Sequence, residues 1–194
     1  MARSKEFDTT QALHKATQIF GHYGYEGTSL QILLDGLGIA RQSLYDTFGT
    51  KQELFTKAVH HYLNEKSSAV VNYLQQQKSV KQAISVIFNE IVTTLQDADR
   101  RMECFILHSA IDQVPHNPEI ALLFEKDKAL LEQAFFDALV RAQRNGEVDR
   151  DKDLHSLAQY LYHSRYALTQ IAKLTSDVQT LNHFAAFTLA VLEH

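Results

Sequence analysis

Apolar residues recur at helical spacing along almost the whole chain. Ala12, Leu13, Ala16, Ile19 and Phe20 form one stripe, which predicts a helix over about residues 8–23. Leu30, Leu33 and Leu34 mark a short helix at 29–35, and Leu44, between Ile39 and Phe48, another at 40–46. Leu54, Phe55, Ala58, Tyr62, Val70 and Leu74 then recur through one long helix, 50–77. Further helices are expected at 80–97, 101–113, 117–144, 151–173 and 177–193. No segment alternates as a strand would, and there is no sequence repeat, so the fold class is all-α with nine helices.

Start and stop signals sharpen that reading. Capping boxes, in which Ser or Thr and a Glu or Gln three residues on satisfy each other's free N–H groups, stand at Thr28/Gln31, Thr50/Glu53, Ser79/Gln82 and Ser176/Gln179. Asn117 before Pro118 is another start, and Asp8 and Asp149 or Asp151 can cap two more helices. Every glycine except Gly146 falls within the first 49 residues, whereas both prolines fall in "QVPHNPEI". Short helices with tight turns are therefore expected first and long ones afterwards. This divides the chain into a domain at 1–50 and a larger one at 51–194.

Composition narrows the function. The chain has 194 residues, 45% of them hydrophobic, enough for a real core. It has no apolar run near the ~18 residues that span a bilayer, and "MARSKEFDTT" has no signal-peptide apolar segment. With a single cysteine, Cys104, a cytoplasmic protein without membrane contact is expected. The net charge of −4 argues against non-specific coating of nucleic acid, but a sequence-specific reader needs only a local group of cations.

The stretch "GIARQSLYDTFGTKQEL" supplies such a group. Two short helices joined by "DGLG" make a helix-turn-helix candidate, whose second helix would point Ala40, Arg41, Gln42 and Ser43 at base edges in the major groove. Arg pairs with guanine, Gln with adenine, and small side chains touch thymine methyls. Thr28 and Lys51 stand at helix starts, where an anion such as a phosphate is favoured. Tyr45 follows Arg41 by one turn, Thr47 extends the same region, and Arg3 and Lys5 lie on a polar arm. These residues could singly be solvated surface. Together, backed by apolar partners, they point to DNA.

Residues 12–55, "ALHKATQIFGHYGYEGTSLQILLDGLGIARQSLYDTFGTKQELF", resemble the DNA-binding domain of the tetracycline-repressor-like (TetR/AcrR) family. The resemblance rests on "A..IF...GY.GTS", the glycine-bounded turn and "GI....LY..FG.K..LF". It implies DNA contacts from Thr28, Arg41, Gln42, Ser43, Tyr45 and Lys51, and a regulator rather than an enzyme. Asp46 and Thr47 depart from the family pattern, standing where members often carry an aromatic residue or His. An aspartate near phosphate costs affinity unless it accepts from a base amino group.

The last two helices carry more apolar surface than one buried stripe needs, so a second face is expected to meet another copy of the chain. Leu161, Leu168, Leu181, Phe184, Thr188 and Leu192 are the expected dimer-interface residues. A homodimer would read two half-sites of a palindromic operator. The family resemblance further implies a small-molecule effector among the middle helices. Its candidate contacts here are Tyr62, Phe88, Cys104, Phe105, His108, Phe135, Tyr162, His163 and Tyr166. Under this reading the protein is a repressor released by its effector.

Other chemistry is poorly supported. No HxxxH or HExxH spacing is present, so no metal site and no cofactor are expected. There is no phosphate loop or nucleophile elbow for an enzyme. A helical adaptor for a protein partner would leave Arg41, Tyr45 and Lys51 unexplained. Arg100 and Arg101 near Cys104 raise the idea of a redox-sensitive thiol, against the plainer reading of a small core residue.

Overall fold

The computed structural model describes residues 8–193, so Arg3 and Lys5 lie outside the described residues. Among those described there are nine α-helices and no strand: α1 (Thr9–Gly27), α2 (Leu30–Leu37), α3 (Arg41–Phe48), α4 (Lys51–Gln76), α5 (Val80–Gln96), α6 (Arg100–Gln113), α7 (Pro118–Arg144), α8 (Leu154–Leu174) and α9 (Val178–Ala190). None of these helices is long and apolar enough to cross a membrane.

Local chemistry explains most of the boundaries. Asp8 accepts from the N–H groups of Thr10 and Gln11 at 2.9 and 3.1 Å, starting α1. Gly24, at φ 73° and ψ 168°, interrupts α1 just past the expected end at residue 23, in a conformation essentially reserved for glycine. Gly38, at φ 68° and ψ 33°, closes α2 with the left-handed turn that leads into α3. Thr50 and Glu53 form the expected reciprocal box: Thr50 N–H donates to Glu53 at 2.7 Å, and Glu53 N–H to Thr50 Oγ1 at 3.2 Å. Asn117 likewise caps α7.

Three starts differ from expectation. Ser29, not Thr28, caps α2, because Thr28 is folded back onto α1. Asp153 caps α8 rather than Asp149 or Asp151, and Asp177 caps α9 rather than Ser176. Where candidate caps lie within a few residues of one another, the backbone bend selects between them, and composition does not reveal the bend. Ser79 caps α5 by accepting from the Gln82 N–H at 3.3 Å, and its hydroxyl donates to Glu147 at 2.8 Å, a distant carboxylate that also accepts from the Lys81 N–H at 3.1 Å.

Packing gathers the chain into two compact units. One comprises the residues up to Leu63 together with Met102–Ala121; the other comprises Asn64–Arg101 and the residues from Leu122 on. The first unit thus joins the start of α4 and most of α6 to α1–α3.

In the first unit Ala16, Phe20, Leu33, Leu44, Phe48, Leu54 and Phe55 are buried. Phe20 meets Phe55 edge-to-face at 4.9 Å, a geometry worth about 0.5–1.5 kcal/mol beyond burial. Gly21 lets α1 lie backbone-to-backbone on α6, since a Cβ there would overlap the Met102 carbonyl oxygen. Gln18 Nε2 donates to Glu103 of α6 at 3.1 Å, and His14 Nε2 lies 3.1 Å from the same carboxylate oxygen.

In the second unit α5 packs against α8 and α9, and α8 against α9. Phe88, Leu131, Phe135, Leu139, Leu161 and Leu168 are fully buried.

Candidate nucleic-acid interface

The short α3 works as a two-sided element. Leu44 and Phe48 are buried four residues apart, fixing one face on the core. The opposite face is then forced outward: Ala40, Arg41, Gln42, Tyr45, Asp46 and Thr47 are exposed, and Ser43 is half-buried. Ala40 is the N-cap and supplies no side-chain hydrogen bond, so the first-turn N–H groups stay open to an outside acceptor.

Two i,i+4 pairs run side by side along that outer face. The Arg41 guanidinium lies 5.9 Å from the centroid of the Tyr45 ring. Gln42 Nε2 donates to Asp46 Oδ1 at 2.7 Å. Each pair ties a long side chain near the start of α3 to one a turn later, which reduces the rotamer freedom lost on binding. Asp46 thus engages Gln42 within the protein, leaving the Gln42 carbonyl oxygen and one amide N–H outward.

Just past Gly49, Lys51 opens α4 and its ammonium rests 4.4 Å from the centre of the Tyr25 ring. Lys57 Nζ donates to the Phe48 carbonyl at 2.9 Å, neutralising the C-terminal end of α3. Glu53 is held below the usual carboxylate range, chiefly by the Thr50 N–H and then by the Thr50 hydroxyl.

Thr28 does not join this surface. It is 0% exposed, its hydroxyl donates to the Gly24 carbonyl at 2.6 Å, and its N–H donates to the Tyr25 carbonyl at 3.3 Å. Both donors are engaged by the α1–α2 corner, and the exposed Ser29 is the residue that caps that helix start. Sequence reasoning also missed Tyr25 and Lys57. Tyr25 was visible only as part of a motif, and Lys57 acts across nine residues on a different helix.

The expected effector residues divide between the units. Tyr62, Cys104, Phe105 and His108 belong to the first, where all but the half-buried Phe105 are buried and the Phe105 and His108 rings lie 5.3 Å apart. Phe88, Phe135, Tyr162, His163 and Tyr166 belong to the second; His163 is exposed there. The Tyr162 and Tyr166 rings meet edge-on at 5.2 Å.

Leu161, Leu168, Leu181, Thr188 and Leu192 are buried inside a single chain and Phe184 is half-buried, so the five buried residues offer no surface to a partner. The exposed large apolar residues of α8 and α9 are Tyr160, Leu174 (86% exposed), Val178 and Phe187 (76%). A helix with apolar residues all round does not disclose which stripe its own core takes.

An all-helical fold with a helix-turn-helix head and an outward-facing Arg/Gln/Tyr surface defines a DNA-binding regulator. Residues 12–58 match the family model described as bacterial regulatory proteins, tetR family. The chain is 52% identical over 194 residues to the HTH-type transcriptional regulator YezE of Bacillus subtilis (strain 168), with 100% of both chains covered. It belongs to this tetR family of transcriptional regulators, which is a family of DNA-binding proteins rather than enzymes. It is also 27% identical over 188 residues to the HTH-type transcriptional repressor ComR of Escherichia coli (strain K12), covering 96% of this chain and 90% of ComR. Its fold is that of the TetR family regulator CifR, solved as a cysteine mutant with 26-bp double-strand operator DNA: TM-score 0.82, 24% identity, 97% of this chain and 98% of that one covered.

Proposed function

We propose that the protein is a homodimeric repressor that holds a palindromic operator through two copies of α3 and is released by a small-molecule effector. The observation that carries this reading is the outer face of α3, where Arg41–Tyr45 and Gln42–Asp46 are set side by side over buried Leu44 and Phe48. In the major groove Arg41 would meet guanine O6/N7 and Gln42 adenine N6/N7. Ala40, Ser43 and Thr47 would flank them. Lys51, at the start of α4, would hold a phosphate, and Arg3 and Lys5 would add contacts from the arm.

One α3 is two turns long and reads only a few base pairs, so specificity calls for a second copy. Leu174, Val178 and Phe187 supply exposed apolar surface on the helices expected to pair. The operator-bound structure of CifR and the name of ComR support DNA binding and repression as the reading for this chain. The larger domain, 51–194 by role, would take the effector, and the protein would work in the cytoplasm.

Selection from a random duplex pool tests this. Enrichment of two inverted half-sites with a fixed spacing is expected. Enrichment of a single unpaired half-site would overturn the dimer, and no enrichment at low salt would overturn the repressor.

A further inference from the structure

The second unit contains a buried polar cluster that DNA binding does not use. Asp127 of α7 is 6% exposed and both its carboxylate oxygens are taken: Oδ1 accepts from the Ser67 hydroxyl of α4, and Oδ2 from the Tyr166 hydroxyl of α8 at 2.8 Å. The Tyr162 hydroxyl in turn donates to that of Tyr166 at 3.4 Å. The Phe124 ring lies 6.0 Å from that of Tyr166, giving the cluster an aromatic wall.

Arg165 stands between the two tyrosines in sequence, and its charge acts on both hydroxyls. Its Nε and Nη1 atoms are sealed from solvent, yet no protein oxygen accepts from either. The carboxylate of Asp127 does not answer them, because hydroxyls occupy both its oxygens. Leaving a charged donor buried and unmatched costs more than leaving a neutral one.

We infer that Arg165 is the anchor for a small molecule carrying a carboxylate, and that the effector of the regulator proposed above belongs to this class. The inference rests on that reading for the word effector; the binding site stands on its own. The unmet demand at the cluster is for an anion, whereas a cationic ligand would have to displace hydroxyls from Asp127. Tyr162 and Tyr166 keep their protons at neutral pH: burial pushes Tyr162 up to about 12 and Tyr166 higher still. They therefore remain neutral hydroxyls beside the bound carboxylate, and their rings would pack on its apolar body.

The test uses thermal melts of the full-length protein against acetate, hexanoate, decanoate, benzoate and naphthoate, with choline and hexylamine as cationic probes. At about 100 times its dissociation constant, a fitting carboxylate raises Tm by roughly 5 °C or more. Arg165→Met removes that shift, while its own Tm without probe stays level or rises, because two buried, unmatched N–H groups have gone. Arg165→Lys, which keeps the charge but not the planar donors, weakens carboxylate binding by about tenfold and serves if the methionine variant does not fold. No Arg165-dependent carboxylate shift overturns the inference, and so does a choline or hexylamine shift lost in Asp127→Asn. A carboxylate that binds through Arg165 but leaves DNA affinity unchanged upholds the site and overturns the effector-released repressor.

Discussion

The ammonium of Lys51 is seated on the ring of Tyr25, 4.4 Å from its centroid. That ring is itself held from behind, 4.8 Å from Phe55 and 6.3 Å from Phe20, and the Tyr25 N–H donates to Ser109 of α6 at 3.2 Å. A lysine proposed to grip phosphate is thereby fixed to the corner where α1 ends. Tyr25→Phe keeps the ring and should leave operator affinity close to wild type. Tyr25→Leu should lower it about two- to fivefold on every sequence, the worth of an exposed cation–π contact of ~0.5–1 kcal/mol. Equal loss in both variants would mean that the hydroxyl, not the ring, matters.

Asp46 is expected to act against affinity and for specificity. It accepts from Gln42 and carries negative charge on the face turned to DNA. Asp46→Ala should strengthen binding to all sequences by about 0.5–1 kcal/mol, while flattening preference at the base pair met by Gln42. Binding to a panel of single-base operator variants measures both. Sharper preference in the variant would refute the positioning role.

Gly21→Ala sets helix propensity against packing. In an exposed helix the change would stabilise by about 1 kcal/mol. Here the new Cβ meets the backbone carbonyl of Met102, which cannot move aside without shifting α6. A net loss of about 1–3 kcal/mol is expected, lowering Tm by several degrees. A raised Tm would place the two backbones farther apart.

Stability should fall at both ends of the pH scale. Asp97, Asp153 and Asp177 are held below their ordinary 3.8, Asp97 chiefly by the Arg100 N–H, Asp153 by the Ser156 hydroxyl and Asp177 by the Thr180 hydroxyl. Burial works against the Glu147 carboxylate, but the Ser79 hydroxyl and the Lys81 and Val80 N–H groups outweigh it and hold Glu147 below 4.5. Folded values below unfolded ones give stability that is complete above 4.5 and drains away as pH falls through the lower folded values. Tyr162 has the opposite sign: its contribution is complete below 10.0 and is lost as pH rises through about 12. Urea unfolding across pH checks this, with Glu147→Gln shrinking the acid limb and Tyr162→Phe the alkaline one. Limbs unchanged in these variants would assign the losses elsewhere.

How much of this was legible in the sequence depended on range. Leu44 and Phe48 fixed the face of α3 by spacing alone, and Thr50/Glu53 announced the start of α4, because both signals are confined to one helical turn. Thr28 and Ser29 were indistinguishable as caps, since only the break at Gly24 turns the threonine inward. Leu161 and Leu181 looked as available to a partner as Leu174 and Phe187 do, because periodicity marks apolar faces without saying which one the core takes. Of the Ser67–Asp127–Tyr166 cluster only Tyr166 stood out as an effector candidate; Ser67 and Asp127 did not, because the members lie far apart on three helices and no local pattern links them.

The central claim is that Arg41 reads a base while Lys51 holds the backbone. Fluorescence anisotropy on the selected operator and its single-base variants, across a salt series, tests it most directly. Arg41→Ala should lose ~1–3 kcal/mol with preference relaxed at one base pair, and Lys51→Ala should lose affinity uniformly with a salt slope shallower by about 1. A uniform loss for Arg41→Ala, or an unchanged slope for Lys51→Ala, would contradict the account.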